Sequence, residues 1–199
     1  MTTMLDIIGA TVIAGMVMII IFGVTANLNQ TLYTSTFSLN VQTSTVSLAR
    51  TIEYDFYKIG YNVNKTIDTC ITYADTNQIH FKTDLLNTGS AVNRIIYRSG
   101  TLINWTRNPR DRVFIRRQDN SQINAEVGVT NFNLTYYDIN GSKISTPITH
   151  KDSLAKIKQI KVKLYIESPE PVLRTDNPTD TLTSYIGVSW EKLIYPRNL

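Results

Sequence analysis

Few side chains in this chain of 199 residues are of a type and spacing that could support catalysis or bind a metal ion. The two histidines, His80 and His150, are far apart, and the single cysteine, Cys70, cannot form a disulfide within the chain. No nucleophile elbow, phosphate-binding loop or dinucleotide-binding fingerprint is present. We therefore predict that the protein is not an enzyme, that it has no cofactor or metal site, and that Cys70 is a buried structural thiol.

The arginines between residues 107 and 117 form a charged cluster that could bind a ligand. Asp111 and Asp119 interrupt the cluster, so the arginines either pair with acids on a solvated face or subunit contact, or bind a polyanion. The net charge of +4 is too small to indicate nucleic-acid binding by itself, and we predict no specific nucleic-acid partner. The candidate surface basic patch consists of Arg107, Arg110, Arg112, Arg116 and Arg117.

Asp6 is the only charged residue before Arg50, and it stands at the edge of a long apolar segment. Residues 7–24, IIGATVIAGMVMIIIFGV, are uncharged and mainly apolar, and their number is about the minimum for crossing a hydrocarbon core of ~30 Å. A cleaved signal peptide is one alternative, but its positively charged n-region is missing here. An ordinary single-pass membrane anchor is another.

Residues 25–49, TANLNQTLYTSTFSLNVQTSTVSLA, continue without a charge. Their polar side chains are Ser, Thr, Asn and Gln, which can be buried far more easily than charges when they are hydrogen-bonded. An approximate helical stripe of apolar residues and the absence of proline before Pro109 favour a helix over a disordered linker. The stripe consists of Leu28, Leu32, Leu39, Val46 and Ile52.

A single helix from about residue 3 to about residue 61 would be roughly 85–90 Å long. Its predicted weak points are Gly9, Gly15 and Gly23, because each glycine destabilises a helix by roughly 1 kcal/mol relative to alanine. A helix that carries no charge for most of its length is best accommodated among copies of itself. A carboxylate near its start, at Asp6, could pair with the free α-amine of a neighbouring copy. It could also serve as a helix N-cap or as an acid in the first turn, where the helix dipole favours a negative charge, and these roles are compatible with the pairing.

These residues resemble the type IV pilin and pseudopilin superfamily. Three features carry the resemblance. The first is an acidic residue directly before a long apolar helix, and the second is the run LARTIEYDFYKIGYNV at residues 48–63, which includes Gly60-Tyr61 near its end. The third is the order of one helix followed by strands. Removal of Met1, which the small Thr2 favours, would make Asp6 the fifth residue, where family members typically carry glutamate. The C-terminal cysteine pair of many major pilins is absent.

The resemblance implies a structural subunit of an extracellular type IV pilus-like filament, held in the cytoplasmic membrane before assembly. Its partners would be copies of itself and the inner-membrane assembly machinery. A minor pilin, a type II secretion pseudopilin or a membrane-anchored binding protein without a polymer are the alternatives. The predicted assembly residues are Met1, Thr2, Asp6, Ile7, Ile8, Val12, Ile13, Val17, Ile20, Ile21, Leu28, Leu32, Leu39 and Val46. Glycans are further candidate partners at the acceptor patterns of Asn29, Asn64, Asn104, Asn133 and Asn140.

The remainder of the chain, residues 64–199, has the patterns of a β-rich domain, which gives an α+β fold when combined with the helix of residues 1–63. Strands are predicted over 67–73, 78–81, 94–98, 102–105, 113–116, 127–137, 157–167 and 185–194. Turn signals at 75–77, 99–100 and 140–141 predict tight hairpins, and the proline-rich 168–182 predicts a surface loop.

We expect an antiparallel sheet of about five to eight strands on the C-terminal half of the helix, which would bury Ile52, Phe56 and Ile59. In the strand at 157–167, apolar residues alternate with lysines, which predicts one buried face and a lysine face that protects a sheet edge.

Overall fold

The computed structural model describes residues 2–64, 69–87, 89, 92–173 and 183–199. Its elements are α1 (Thr2–Tyr57), β1 (Ile71–Ala74), β2 (Gln78–Thr83), β3 (Asn93–Leu102), β4 (Arg112–Gln118), β5 (Ser121–Tyr137), β6 (Lys143–Ile144), α2 (Lys151–Ala155), β7 (Gln159–Glu167), β8 (Val172–Leu173), β9 (Thr183–Ser184) and β10 (Gly187–Ile194). The chain divides into two compact units, residues 1–39 and residues 40–199. The first contains the N-terminal part of α1, and the second contains the rest of α1 and the sheet.

The long helix α1 runs without interruption over 56 residues. Residues 25–49 are therefore helical, and the alternative of a disordered linker is wrong for this segment. The helix also continues through Gly9, Gly15 and Gly23, so none of the three predicted weak points unwinds.

The second unit is organised by an eight-stranded sheet in the order β1-β2-β3-β4-β5-β7-β10, with β6 paired to β5. All of its strand pairs are antiparallel. The short strands β8 and β9 form a separate two-stranded sheet. The predicted α+β class, with one long N-terminal helix and an antiparallel sheet, is confirmed.

The C-terminal part of α1 and the turn after it pack on the sheet through apolar side chains about one turn apart. Ile52, Phe56 and Ile59 are fully buried, as the sequence predicted. The Phe56 ring meets the rings of Phe81 and Tyr97 edge-on, with centroids 5.7 and 5.6 Å apart. Aromatic pairs of this geometry add about 0.5–1.5 kcal/mol beyond the area that they bury.

The helix ends at Tyr57, four residues earlier than predicted, and a turn through Gly60 leads the chain onto the sheet. Gly60 has a φ of +78°, and its amide donates a 3.0 Å hydrogen bond to the Lys82 carbonyl. A Cβ atom at this position would lie 2.8 Å from both the Asn198 carbonyl oxygen and the Cys70 Sγ atom. The turn therefore requires glycine for its backbone conformation and for the close approach of its neighbours.

The hairpin predicted at Ser99-Gly100 is wrong. β3 continues through both residues to Leu102, and residues 103–105 of the predicted next strand are not in a strand. A Cβ atom on Gly100 would lie 3.0 Å from the Val113 carbonyl oxygen, so this glycine allows a close approach of strands at a register shift. Glycine inside a strand commonly marks such a bulge rather than a turn.

The hairpin that follows β4 turns at residues 119–120, and it was not predicted. Asp119 has a φ of +49°, and its carboxylate accepts hydrogen bonds of 2.8 Å from the Arg94 amide and from the Asn93 side chain. β5 begins at Ser121, six residues earlier than predicted.

The remaining strand predictions are confirmed with shifted ends. The hairpin at 75–77 joins β1 to β2, and the turn at 138–141 contains Gly141 with a φ of +77°. The last strand begins two residues late, at Gly187. Residues 67 and 68 of the first predicted strand, and 174–182 of the predicted loop, lie outside the described residues.

Candidate assembly surface

The predicted assembly residues lie along the exposed surface of α1. Asp6 is exposed, and each predicted apolar residue from Ile7 to Val46 is exposed to between 48% and 64% of its full surface. Met1 lies outside the described residues, and Thr2 begins the helix. Large apolar side chains normally leave water when a protein folds. The surface they form here is a candidate for contact with lipid or with other protein.

The apolar surface changes character along the helix. From Ile7 to Val24 apolar side chains occur on all sides of α1, and this part of the helix is long and apolar enough to cross a membrane. Beyond it, Leu28, Leu32 and Leu39 are exposed among uncharged polar side chains. Tyr33 and Phe37 add an edge-to-face aromatic pair with centroids 4.8 Å apart.

Several threonine hydroxyls on α1 are already hydrogen-bonded within the helix. Thr11 donates to the carbonyl three residues earlier at 2.9 Å, and Thr31 and Thr34 donate to the carbonyls four residues earlier at the same distance. Thr45 and Thr51 do the same at 2.7 and 3.1 Å. Because these donors are satisfied locally, the threonines can enter an apolar environment without a partner from another chain.

Asp6 is the one acid on this surface, and it is not a helix N-cap. The helix is formed from Thr2 onward, so Asp6 lies inside it, and no acidic residue lies in its first turn. Asp6 is therefore neither an N-cap nor an acid of the first turn, and both of these expectations are wrong. The carboxylate is exposed, and it would be strongly destabilised in an apolar environment unless a positive charge paired with it.

In the second unit, a buried charge cluster fixes α1 to the sheet. The Asp55 carboxylate on α1 accepts hydrogen bonds from the Tyr97 hydroxyl of β3 at 2.6 Å and from Nε of Arg116 on β4 at 2.7 Å. Asp55 and Tyr97 are at most 1% exposed. Burial, together with the nearby Asp55 carboxylate, raises the pKa of the Tyr97 phenol well above its usual value, so the phenol stays a hydrogen-bond donor.

Sequence reasoning missed this cluster, although it contained a signal. Asp55 falls on the same helical stripe as Ile52, Phe56 and Ile59, where a charged side chain must find a buried partner.

The five arginines of the candidate basic patch occupy different surroundings. Arg116 is directed to Asp55, and Nε of Arg117 donates to the Asp119 carbonyl at 2.9 Å. Arg107 and Arg110 pair with acids, Glu170 at 3.2 Å and Glu167 at 3.0 Å. Arg112 is exposed, and it lines the same cleft as Arg110.

The remaining candidate groups are Cys70, the possible metal ligands and the glycan acceptors. Cys70 is half-buried beside Gly60 rather than fully buried. Within the described residues, no three His, Cys, Asp or Glu side chains come together as they would around a metal ion. The five candidate glycan acceptors, Asn29, Asn64, Asn104, Asn133 and Asn140, are all exposed.

Comparison with known proteins adds no relative: neither the family models nor the curated proteins contain a match to this sequence. The architecture of a long N-terminal apolar helix followed by an antiparallel sheet is compatible with that of a pilin.

Proposed function

We propose that this protein is the structural subunit of an extracellular type IV pilus-like filament and that it polymerises through α1. The observation that carries the proposal is the helix from residue 7 to residue 49, which contains no charged side chain and exposes most of its large apolar side chains. Within this stretch only Val41, Thr45 and Ala49 are buried. A surface of this kind is unfavourable in water, and burial among like helices removes it from solvent. Each fully buried aliphatic side chain contributes roughly 1.5–3 kcal/mol, so the many that α1 exposes favour association strongly.

The length of the charge-free surface favours a polymer over a permanent anchor. A membrane accounts for residues 7–24, since about 20 apolar residues cross a bilayer. Residues 25–49 extend beyond that span without the Lys and Glu pairs that usually solvate a helix. In the proposed assembly pathway, the subunit is first held in the cytoplasmic membrane by α1. The inner-membrane assembly machinery then transfers it into the filament.

Asp6 would set the position of one subunit relative to the next. Its carboxylate and the free α-amine of a neighbouring subunit are each unfavourable alone in an apolar core, and pairing relieves both. This step predicts that the charge of Asp6, and not its size, is needed for assembly.

A minor pilin or type II secretion pseudopilin is the second candidate. It is favoured by the run at residues 48–63, whose Gly60-Tyr61 end forms the turn between helix and sheet. Abundance separates the two candidates, because a filament subunit dominates sheared surface material and a minor pilin is a trace component. A membrane-anchored binding protein without a polymer is less favoured, since the mobile linker expected for it at residues 25–49 is helical.

The test is electron microscopy of sheared surface material from cells that express the full chain, with mass spectrometry of the N-terminus. We expect helical filaments in which this chain is the main component. Asp6→Asn should reduce filament yield at least tenfold. The matched control is Asp152→Asn, which removes an acid whose side chain is 87% exposed on α2, and it should leave the yield unchanged. Recovery of monomers alone would contradict the proposal. Filaments of normal yield with Asp6→Asn would contradict the role of Asp6.

A further inference from the structure

A cleft of about 410 Å³ lies at the corner of the sheet where β4, β5 and β7 meet. Its volume is within the range of roughly 300–1,000 Å³ that is usual for small-molecule sites. Arg110, Arg112, Asn131, Tyr165 and Glu167 are among the residues that line it. On β7, Tyr165 lies between the buried Leu164 and Ile166, so the cleft is on the face of β7 opposite the hydrophobic core.

Three interruptions of the strand register converge on this cleft. They lie in the β3–β4 pair just before Leu102, in the β4–β5 pair just after Arg112, and in the β5–β7 pair between Val129 and Asn131. Val129 is fully buried, whereas Asn131, two residues later, is exposed. Regular alternation would place both on one face, so the shift directs Asn131 outward. Such bulges often serve to re-aim side chains at functional positions.

The floor of the cleft is fixed by hydrogen bonds. Glu167 is only 3% exposed, and its carboxylate accepts a 2.9 Å hydrogen bond from the side-chain amide of Asn108. The same carboxylate forms an ion pair with Arg110 at 3.0 Å. The Arg110 guanidinium also lies 5.5 Å from the centroid of the Tyr185 ring. Arg110 and Glu167 therefore neutralise each other and hold the floor in one arrangement.

Two polar side chains of the cleft make no such contacts. In the part of the chain that the structure describes, the Arg112 guanidinium and the Asn131 side-chain amide have no hydrogen-bond or ion-pair partner. Asp111, between the two arginines, is fully buried behind the cleft, with its Oδ1 atom against Gly128. The unbalanced charge that lines the cleft is thus the positive charge of Arg112.

We propose that the cleft binds a saccharide unit that carries a carboxylate, such as a hexuronate. The Arg112 guanidinium can hold the carboxylate through two parallel hydrogen bonds. The Asn131 amide, which has both donors and an acceptor, binds ring hydroxyls. The partly exposed Tyr165 ring packs against the apolar face of the sugar, as aromatic rings do with apolar surface. This site goes beyond the assembly function and does not depend on it.

The experiment titrates the full chain in detergent micelles with glucuronate, glucose and acetate, with binding measured by saturation-transfer NMR and calorimetry. Glucuronate should bind at least tenfold more tightly than glucose, which lacks the carboxylate, and than acetate, which lacks the ring. Arg112→Gln should weaken glucuronate binding at least tenfold. The matched control is Arg117→Gln on the same strand, whose guanidinium donates to the Asp119 carbonyl at the hairpin tip, and it should not change the affinity.

Circular dichroism would establish that both variants fold. We expect them to fold because both arginine side chains are exposed. The proposal is overturned if glucuronate shows no saturable binding, if glucose or acetate binds equally well, or if Arg112→Gln binds like the unmodified chain.

Discussion

The hydroxyl of Tyr97 donates a 2.6 Å hydrogen bond to the carboxylate of Asp55, and both side chains are withdrawn from solvent. Arg116 donates to the same carboxylate oxygen at 2.7 Å and lies 3.1 Å from the Tyr97 hydroxyl. One acid of α1 is thereby joined to two neighbouring strands. The contact fixes both the rotation and the height of α1 on the sheet, which apolar packing alone defines less sharply.

Removal of the acid should be the most destabilising change in this cluster. Asp55→Ala leaves the Arg116 charge and the Tyr97 hydroxyl without their partner, and we expect the free energy of unfolding to fall by about 3–5 kcal/mol. Tyr97→Phe retains the ion pair and should lower it by about 0.5–1.5 kcal/mol. Thermal and urea unfolding of the full chain in detergent, followed by circular dichroism, measures both. Equal losses for the two variants would show that the ion pair contributes little.

A charge placed on the exposed helix should block assembly without harming the fold. Leu32→Lys puts a cation into the surface that the proposed filament buries, where an unpaired charge is very unfavourable. The matched control is Ile139→Lys, which alters a similarly exposed side chain, 74% against 64%, in a turn of the β domain. We expect filament yield to fall at least tenfold for Leu32→Lys only, with unchanged unfolding temperatures for both. Filaments of normal yield with Leu32→Lys would exclude burial of this surface.

Two glycines with the same backbone conformation should differ in how well they tolerate alanine. Gly60 and Gly141 have φ angles of +78° and +77°, but only at Gly60 would a Cβ atom meet other atoms, at 2.8 Å. Gly141→Ala should lower the free energy of unfolding by roughly 1 kcal/mol through backbone strain alone. Gly60→Ala should lower it by at least about twice as much, because both the Asn198 carbonyl group and the Cys70 side chain must also move. If chemical denaturation showed similar losses of unfolding free energy for the two variants, the atoms around Gly60 would be able to move aside at little cost.

The carboxyl group of Asp111 should make stability depend on pH. It is fully buried, both of its oxygens are without a hydrogen bond in the described part of the chain, and burial raises its pKa above the usual 3.8. The nearby Thr106 side chain and the Arg110 charge oppose this effect, and the Glu167 charge adds to it. The folded state therefore binds the proton more tightly than the unfolded state does.

The stabilising contribution of protonated Asp111 is complete below the unfolded pKa and is lost as the pH rises through the folded pKa. Asp111→Asn keeps the shape of the side chain and removes its titration. The free energy of unfolding of this variant, relative to that of the unmodified chain, should therefore increase from pH 4 to pH 7.5. Urea unfolding at the two pH values checks this. If the difference in unfolding free energy between the two proteins did not change with pH, the pH dependence of stability would come from groups other than Asp111.

Local periodicity was sufficient to predict the helix and its contact with the sheet. The spacing of Ile52, Phe56 and Ile59 specifies one face of a helix, and burial of that face needs no knowledge of its partner. Asp55 could have been assigned to the same face, but Tyr97 and Arg116 could not have been identified, because they are 42 and 61 residues away in sequence.

Features that depend on which strands are neighbours were less accessible. Ser99-Gly100 has the composition of a turn, and only the closeness of Val113 reveals that it is a bulge. The lysines of β7 were expected to protect a sheet edge, but β7 lies between β5 and β10, so that expectation is wrong. Lys161 and Lys163 instead pair with Glu191 on the adjacent strand. The cleft at β4, β5 and β7 likewise exists only because three distant segments meet.

The threonines of α1 have a consequence for how the helix changes surroundings. Thr11, Thr31 and Thr34 direct their hydroxyl protons to carbonyl oxygens of their own helix. These hydrogen bonds are the same whether lipid, detergent or protein lies outside. The proposed transfer of the helix from membrane to filament would therefore not require these three hydroxyls to exchange their hydrogen-bond partners.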